Sequence, residues 1–264
     1  MAQAPNNPFD QQKPIPGIKN IYVVASGKGG VGKSTVSSNL ALALTKEGRS
    51  VGLLDADIYG PSLPRMFGAL NQKPQMNSQQ QIIPLSRYGI KLMSMGFLID
   101  EGAAVVWRGP MLFKAIDQFF RDVDWGELDD LVIDLPPGTG DVQLSIAQKV
   151  PIKGAIVVTT PQNVALADVK KSIDMFRRVN IPILGMIENM AYFKNPTTGE
   201  KLTMFPQGEL NSYLDKEHIP KLGQLPFFQG LAQGAEIGIP FIETHPEDEV
   251  ALTFKKIAQG LISH

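Results

Sequence analysis

The sequence contains no cysteine and very little histidine. Its 264 residues include 3 histidines, and these are widely separated, at His218, His245 and His264. Without cysteine the chain cannot form a disulfide, use a thiolate nucleophile, or hold zinc or an iron–sulfur cluster through thiolates of its own. Scattered histidines give no indication of a metal site built from imidazoles.

An excess of one charge and a long apolar run are also lacking. The 25 basic and 26 acidic residues give a formal net charge of -1, so no global attraction to nucleic acid or to an anionic membrane is expected. No run of 18 apolar residues is present, which excludes a transmembrane helix of ordinary length. Residues 1–12 are polar and lack the apolar stretch of a secretory signal, so we expect a cytoplasmic protein.

What the sequence does contain is an alternation of apolar and amphipathic segments. Short β-prone runs lie at residues 21–25, 51–54, 131–133, 155–158 and 183–187, and helical patterns lie at residues 34–46, 110–122, 141–149, 165–179 and 249–262. This alternation predicts a single three-layer α/β domain over residues 18–264, with a mostly parallel sheet and helices on both faces. Residues 1–17 are predicted to form a flexible arm, and residues 60–90 and 194–220 to form irregular surface loops.

A phosphate-binding loop follows the first predicted strand. Residues 27–34 fit G-x-x-x-x-G-K-[ST] between a strand and a helix, which is the context that this motif requires. Its backbone N–H groups would wrap a phosphate, Lys33 would reach the β- and γ-phosphates, and the Ser34 hydroxyl would ligate Mg²⁺. A chance glycine turn of this form is expected in about one chain in a hundred. The motif therefore predicts ATP and Mg²⁺ as cofactors of a P-loop NTPase domain, with binding residues Gly27, Lys28, Gly29, Gly30, Val31, Gly32, Lys33, Ser34 and Thr35.

Acidic residues end the neighbouring strands. Asp55 and Asp57 follow the second predicted strand, and Asp134 ends a later one. Carboxyl ends of parallel strands face the crevice where ligands of open α/β sheets bind. Asp134 is predicted to hold Mg²⁺ through water, and Asp57 to join Ser34 and Asp134 as a metal residue and to orient the attacking water. A polar strand end explains any one of these residues, but three of them around one loop favour a functional site.

The segment after Asp134 is predicted to be a switch loop, whose contacts depend on the bound nucleotide. Residues 136–141 read Pro-Pro-Gly-Thr-Gly-Asp, and the Gly138 N–H could reach the γ-phosphate. Such a contact would differ between the ATP and ADP states.

Lys28 is a second lysine within the phosphate loop, and its presence makes the loop resemble that of a known class of proteins. Residues 27–35 resemble the deviant Walker A loop, K-G-G-x-G-K-[ST]-T, of the class that contains MinD, ParA and the nitrogenase iron protein. The resemblance implies that Lys28 reaches the nucleotide of a second subunit when ATP closes a face-to-face homodimer. Lys28, Lys33 and Asp57 are accordingly the predicted catalytic residues.

Further motifs resemble the Mrp/ApbC family of ATP-binding iron–sulfur cluster carriers, from about residue 18 to the end of the chain. They lie at residues 55–62, 107–111, 134–141 and 188–190. This resemblance implies that Asp57 activates water and that Asn189 and Pro226 contact adenine. It also implies iron–sulfur assembly proteins or client proteins as partners, with no nucleic acid and no membrane among them.

The sequence departs from that family at its cluster motif. The family's C-P-x-C motif bridges an iron–sulfur cluster between two subunits, whereas here Asn195 and Thr198 stand at the cysteine positions. Neither residue is a good ligand for a soft metal. A later F-G-x-G-G element is also changed, at residues 205–209. An iron–sulfur cluster bound by this chain alone is therefore doubtful, although the ATP-binding motifs are complete.

The favoured function is a slow, Mg²⁺-dependent ATPase that dimerises with ATP and acts in iron–sulfur cluster assembly or transfer. It would carry a cluster through ligands from a partner or act as an ATP-gated adaptor. The alternative is a MinD/ParA-like positioning or partition protein, which should carry a basic patch or a basic amphipathic tail. A nitrogenase-type reductase would need cysteines from another chain. A small-molecule ligase or kinase would need a second substrate pocket.

Overall fold

A central, mostly parallel sheet organises the chain. The computed structural model describes residues 12–58, 60–98, 109–195, 197–206 and 208–263. The strands are β1 (Ile18–Ser26), β2 (Val51–Asp55), β3 (Gln75–Met76), β4 (Ile82–Ile83), β5 (Leu85–Arg87), β6 (Ile90–Ser94), β7 (Leu128–Asp134), β8 (Gly154–Thr159), β9 (Ile183–Lys194), β10 (Lys201–Leu202) and β11 (Lys221–Phe227). The helices are α1 (Lys33–Lys46), α2 (Leu63–Met66), α3 (Gly109–Arg121), α4 (Asp141–Lys149), α5 (Asn163–Arg178), α6 (Leu210–Lys216), α7 (Gln229–Ile237), α8 (Phe241–Thr244) and α9 (Glu249–Ile262).

The strand order of the sheet is β10-β9-β8-β1-β7-β2-β6-β5, and β11 pairs with β9 as well. All of these pairings are parallel except those of β5 with β6 and of β10 with β9. Every residue of β2 and of β8 is buried, as expected for strands covered by helices on both faces. The predicted α/β fold with a mostly parallel sheet is confirmed.

Burial of apolar side chains fixes the helical layers to this sheet. Leu40 and Leu44 of α1 are fully buried, and α1 packs against α9, where Phe254 is also fully buried. The start of α9 is set by Asp248, whose carboxylate accepts a hydrogen bond from the N–H of Val250 at 2.8 Å. The terminal segment is therefore a helix, as predicted, and the helix is packed against α1. Among the described residues no helix is both long and apolar enough to cross a membrane.

The two segments predicted as irregular loops contain ordered elements. Residues 60–90 include α2 and the short strands β3, β4 and β5, and β5 extends the main sheet beyond β6. Residues 194–220 include β10 and α6, whose Leu210 and Leu214 are buried. The prediction of irregular loops is wrong here because elements of two to seven residues show too little periodicity to be detected in a sequence.

The described part of the N-terminal arm makes contacts with the rest of the domain. Ile15 is buried, the Gln12 side chain donates to the carbonyl of Ala147 at 2.5 Å, and the Lys13 N–H donates to the carbonyl of Lys149 at 3.0 Å. A single apolar residue in a proline-rich stretch gives no periodic signal, so the sequence does not reveal these contacts of residues 12–17. Residues 1–11 of the predicted arm lie outside the described residues.

Two glycines bring α2 and α7 together. Gly238 follows α7 with φ 76°, and a Cβ added there would lie 2.6 Å from the Cα of Gly68, which follows α2. The Tyr88 hydroxyl donates to the carbonyl of Gly238 at 2.9 Å. The two backbones therefore touch without a side chain between them.

We predict that Gly238→Ala lowers the free energy of unfolding by more than about 1 kcal/mol, because alanine disfavours the left-handed conformation and its methyl group meets the backbone of Gly68. Gly260→Ala is the matched control, since Gly260 lies within α9 and a Cβ there meets nothing within 4 Å. It should raise the free energy of unfolding by about 0.5–1 kcal/mol. Urea denaturation of both variants measures the difference, and equal effects would contradict the close contact.

Candidate functional site

The loop between β1 and α1 is held in place by a hydrogen bond from Asn189. The Asn189 side-chain amide donates to the carbonyl of Val31 at 2.8 Å, and Asn189 is itself buried on β9. Gly32, directly before α1, has φ 81°, and a Cβ there would lie 2.2 Å from Asn189 Nδ2. The start of α1 has no side-chain cap, so its first N–H groups are left for a ligand.

This loop forms one wall of a cavity of ≈ 350 Å³. From the predicted phosphate-binding set, the lining includes Gly29, Gly30, Gly32, Lys33, Ser34 and Thr35. Outside this loop the lining includes the half-buried Asp57, together with Arg65 of α2 and Glu236 of α7, which form an ion pair at 3.8 Å. The size and position of this cavity suit the phosphate groups of a nucleotide.

A buried carboxylate lies beneath the loop. Lys33 Nζ is 2.7 Å from Asp134 Oδ1, and the Ser34 hydroxyl donates to Asp134 Oδ2 at 2.5 Å. The Ser37 hydroxyl donates to Asp134 Oδ1 at 2.7 Å. Asp134 is fully buried and Lys33 is 6% exposed, so each of these buried charges is stabilised by the opposite charge of the other. Ser34 and Asp134, predicted as metal residues from distant parts of the sequence, are brought together, and their oxygen atoms are of the kind that Mg²⁺ prefers.

Asp55 anchors the segment that carries Asp57. Asp55 Oδ2 accepts from the N–H of Leu63 at 3.1 Å and from the hydroxyl of Ser94 at 3.1 Å, and Asp55 Oδ1 accepts from the N–H of Asp57 at 3.1 Å. Complete burial, reinforced by the negative charge of Asp134, raises the pKa of the Asp55 carboxyl to about 7. Asp55 therefore shapes the wall of the cavity, and Asp57, like Glu236, is a carboxylate that lines it.

The predicted switch loop is held against β1. The Gly138 N–H donates to the carbonyl of Ser26 at 2.8 Å, and a contact with a γ-phosphate would require that bond to open. The buried Gln143 donates through Nε2 to the carbonyls of Pro136 at 2.8 Å and Gly138 at 3.1 Å. Gln143 thus clamps the loop from the first turn of α4.

Lys28 lies beside the cavity. Its Nζ donates to Gln162 Oε1 at 3.2 Å, and Gln162 is the residue directly before α5. Gly27 and Val31 belong to the same loop, and Val31 is buried. Pro226 is buried in β11 and pairs with Tyr192, and neither Pro226 nor Asn189 lines the cavity. Their contact with adenine remains a prediction.

Sequence reasoning missed Ser37 and Gln143, and it gave Asp55 no separate role. Ser37 lies four residues after Lys33 on α1, so helical spacing could have placed its hydroxyl on the same face. The contacts of Gln143 and Asp55 depend on loop conformations, for which the sequence carries no periodic signal. Trp107 and Arg108, part of a motif used in the sequence analysis, lie outside the described residues, as does Tyr59.

Asn195 and Thr198 close the turn between β9 and β10. Asn195 Oδ1 accepts from the N–H groups of Thr197 at 2.9 Å and Thr198 at 3.3 Å, and Thr198 Oγ1 accepts from the N–H of Glu200 at 3.3 Å. Both side-chain oxygens are thus used within the turn. The residues present do not fit an iron–sulfur cluster at this hairpin. Across the described ranges, no group of three or more His, Cys, Asp or Glu residues is placed to hold a metal ion.

The family model and the relatives that match this chain point to the same protein family. Residues 17–262 match the model of the ParA family described as a NUBPL iron-transfer P-loop NTPase. The iron–sulfur cluster carrier protein of Aquifex aeolicus is 50% identical over 255 residues, which cover 96% of this chain and 70% of that protein. The mouse iron–sulfur cluster transfer protein NUBPL is 45% identical over 254 residues, which cover 96% of this chain and 79% of that protein.

Solved structures support the same fold. A nucleotide-binding protein from Archaeoglobus fulgidus, in complex with ADP, is 37% identical with a TM-score of 0.75, over 89% of this chain and 96% of that chain. The cell division ATPase MinD of Pyrococcus furiosus has a TM-score of 0.67 over 92% of this chain and 98% of that chain, at 23% identity. The likeness to MinD shows the fold alone.

Asp55 predicts a pH dependence of stability in the absence of Mg²⁺ and nucleotide. Its pKa is about 3.9 in an unfolded chain and about 7 in the folded chain. At a pH between these two pKa values, the folded chain keeps a proton on Asp55 that the unfolded chain has released. The free energy of unfolding therefore falls as the pH rises through that range. The wild type should lose at least about 1.4 kcal/mol relative to Asp55→Asn between pH 5 and pH 8.

Urea denaturation of both proteins at the two pH values measures this loss. Asp174→Asn, which changes an exposed carboxylate on α5, should keep the pH dependence of the wild type. The assigned environment of Asp55 would be wrong if Asp55→Asn also followed the wild type.

Proposed function

Because the chain belongs to the ParA family of NUBPL iron-transfer P-loop NTPases, we propose that it is a Mg²⁺-dependent ATPase that acts in iron–sulfur cluster assembly or transfer. We propose further that ATP closes it into a homodimer through the nucleotide-binding face. The observation that carries the proposal is the junction of Lys33, Ser34 and Asp134 beneath the phosphate loop. Lys33 would supply the cation that binds phosphate there, and Ser34 and Asp134 would supply two oxygen ligands for a metal ion.

The chemistry needs positioning and charge stabilisation rather than a covalent intermediate. The N–H groups of the loop and the Lys33 ammonium would bind the β- and γ-phosphates of ATP. Ser34 and Asp134 would hold Mg²⁺, with Asp57 near it, and the ion would neutralise charge on the phosphates. Asp57, which lines the same cavity, would also orient the attacking water.

Lys28 would complete the site of a second copy. The Lys28 ammonium donates to Gln162, and Lys28 is not among the residues that line the cavity beside its own loop. This ammonium could leave Gln162 and stabilise the phosphoryl group of a nucleotide bound to the facing subunit. Hydrolysis would then require two chains.

An iron–sulfur cluster would be cargo rather than a resident cofactor of this chain. The chain offers no thiolate, and the side chains of Asn195 and Thr198 are used within their own turn. The cluster ligands would therefore come from a client protein or a small thiol. The names of the relatives, carrier and transfer proteins for iron–sulfur clusters, support this assignment of the cargo.

Lys28→Ala tests the dimeric ATPase. We expect it to retain ATP binding and to lose hydrolysis by about 10²–10³-fold, because it removes a donor to the transition state. Lys255→Ala is the matched control, since it removes an exposed ammonium on α9. Steady-state hydrolysis and equilibrium binding of a fluorescent ATP analogue separate the two effects. Normal hydrolysis by Lys28→Ala would overturn its role in the second subunit.

Asp57→Ala should trap an ATP-bound dimer, since loss of the residue that orients water slows hydrolysis without removing the phosphate loop. Light scattering with ATP and Mg²⁺ should show twice the monomer mass. A monomer under these conditions would contradict the role of Asp57.

Anaerobic reconstitution with iron and sulfide tests the cargo. The purified chain alone should bind no stoichiometric cluster, measured by visible absorption and by iron per chain. With a cluster donor and an apo-protein acceptor, ATP should change the rate of transfer. A stoichiometric cluster in the absence of any thiol would contradict the assignment of its ligands to another molecule.

A further inference from the structure

Among the described residues, two cations line the cavity beside the phosphate loop, Lys33 of the loop and Arg65 of α2. The Lys33 ammonium is buried against Asp134 at 2.7 Å, so its charge is already balanced within the chain. The Lys28 ammonium donates to Gln162, and Lys28 is not part of the lining. Arg65 is therefore a cation of the cavity that the chemistry proposed above does not use.

The backbone of Arg65 is fixed, whereas its side chain is 52% exposed. The neighbouring Leu63 N–H donates to the buried carboxylate of Asp55 at 3.1 Å, and the Arg65 carbonyl accepts from the N–H of Gly68 at 3.0 Å. A Cβ added to Gly238 would lie 3.2 Å from that carbonyl oxygen, so the end of α7 packs closely against it. The guanidinium can therefore change its partner while its point of attachment stays in place.

The ion pair between Arg65 and Glu236 is long and exposed. The Arg65 guanidinium lies 3.8 Å from the Glu236 carboxylate, which is beyond hydrogen-bond distance, and the Glu236 side chain is 72% exposed. An exposed ion pair of this kind contributes little to stability. A phosphate group is a stronger partner, because the planar fork of N–H groups on arginine matches the oxygens of phosphate. Exchange of Glu236 for a phosphate would therefore be favourable.

The residue that precedes α2 offers a second unused donor. Ser62 also lines the cavity, and its buried hydroxyl oxygen has no hydrogen-bond partner in the part of the chain that the structure describes. A buried hydroxyl without a partner is unfavourable, which favours a ligand group close to it. Ser62 and Arg65 thus bring a hydroxyl and a guanidinium to the same cavity from one short segment.

We propose that Arg65 binds the γ-phosphate of ATP in its own chain and leaves Glu236 when it does so. The proposal rests on the ATP site proposed above and adds to it a residue that distinguishes ATP from ADP. Arg65 follows the segment of Asp57, which would orient the water that attacks the γ-phosphate, and both residues line the cavity outside the phosphate loop. A cation there would meet the negative charge of the triphosphate that Mg²⁺ leaves uncompensated. With ADP, which lacks this phosphate, Arg65 would keep Glu236.

Equilibrium binding of fluorescent ATPγS and fluorescent ADP, each with Mg²⁺, tests the contact. Arg65→Ala should weaken ATPγS binding by about tenfold or more, because it removes hydrogen bonds between two charged groups. It should change ADP binding by less than about threefold, because only an exposed ion pair is lost. Arg87→Ala is the matched control, since the Arg87 guanidinium donates to Gln72 outside the cavity, and it should leave both affinities unchanged.

Two further variants separate phosphate binding from a structural role of the ion pair. Glu236→Gln also breaks the pair, but it should bind ATPγS at least as tightly as the wild type, because it removes a carboxylate that competes with phosphate for Arg65. Arg65→Lys keeps the charge without the planar fork and should bind with an affinity between those of the wild type and Arg65→Ala. If Glu236→Gln weakened ATPγS binding as much as Arg65→Ala, the pair would be structural and the inference would be wrong.

The outcomes separate this inference from the proposed function. If the wild type binds neither nucleotide, the proposed ATP site is wrong and the inference falls with it. If the wild type binds both and Arg65→Ala keeps the same ratio of the two affinities, the ATP site stands and the inference is wrong. If Arg65→Ala binds ATPγS normally as a monomer but fails to dimerise in sedimentation velocity, Arg65 acts on the facing copy, and its assignment to the nucleotide of its own chain is overturned.

Discussion

The buried carboxylate of Asp134 is the constraint on which the site depends. A charge at this depth is tolerated only with close partners, and Lys33, Ser34 and Ser37 supply them from one end of α1. These contacts fix the start of α1 to the end of β7 and so set the distance between the phosphate loop and the strand ends. The same atoms that stabilise the fold are those that a nucleotide and a cation would contact, so binding would exchange internal partners for external ones.

The sequence was informative where the chemistry is local or periodic. The phosphate loop and the alternating strands and helices were predictable because each is encoded in consecutive residues or in a regular spacing. The approach of Ser34 to Asp134, which are 100 residues apart, was predictable because the carboxyl ends of parallel strands all lie at the same end of the sheet. The clamp by Gln143 and the anchoring by Asp55 were not predictable, since each depends on the path of a loop. β10 and α6 were missed because they are short.

The hairpin after β9 is held by contacts within the chain. Asn195 and Thr198 satisfy the N–H groups of the turn, so the conformation is maintained by hydrogen bonds within the hairpin. The surrounding surface is anchored independently, through the ion pairs of Glu249. The hairpin and its anchor on α9 are therefore both held by hydrogen bonds and ion pairs of the chain itself.

The contact between Gly68 and Gly238 has a mechanical consequence. Backbones that touch directly have no side-chain torsions between them to absorb a displacement, so α2 and α7 should move as one rigid body. One end of that body follows the Asp57 segment, and the other follows Phe227 at the end of β11. A shift of the cavity wall, to which Arg65 of α2 and Glu236 of α7 both contribute, would thus move the two helices together. The two glycines therefore make the contact between α2 and α7 rigid, although glycine is more often associated with flexibility.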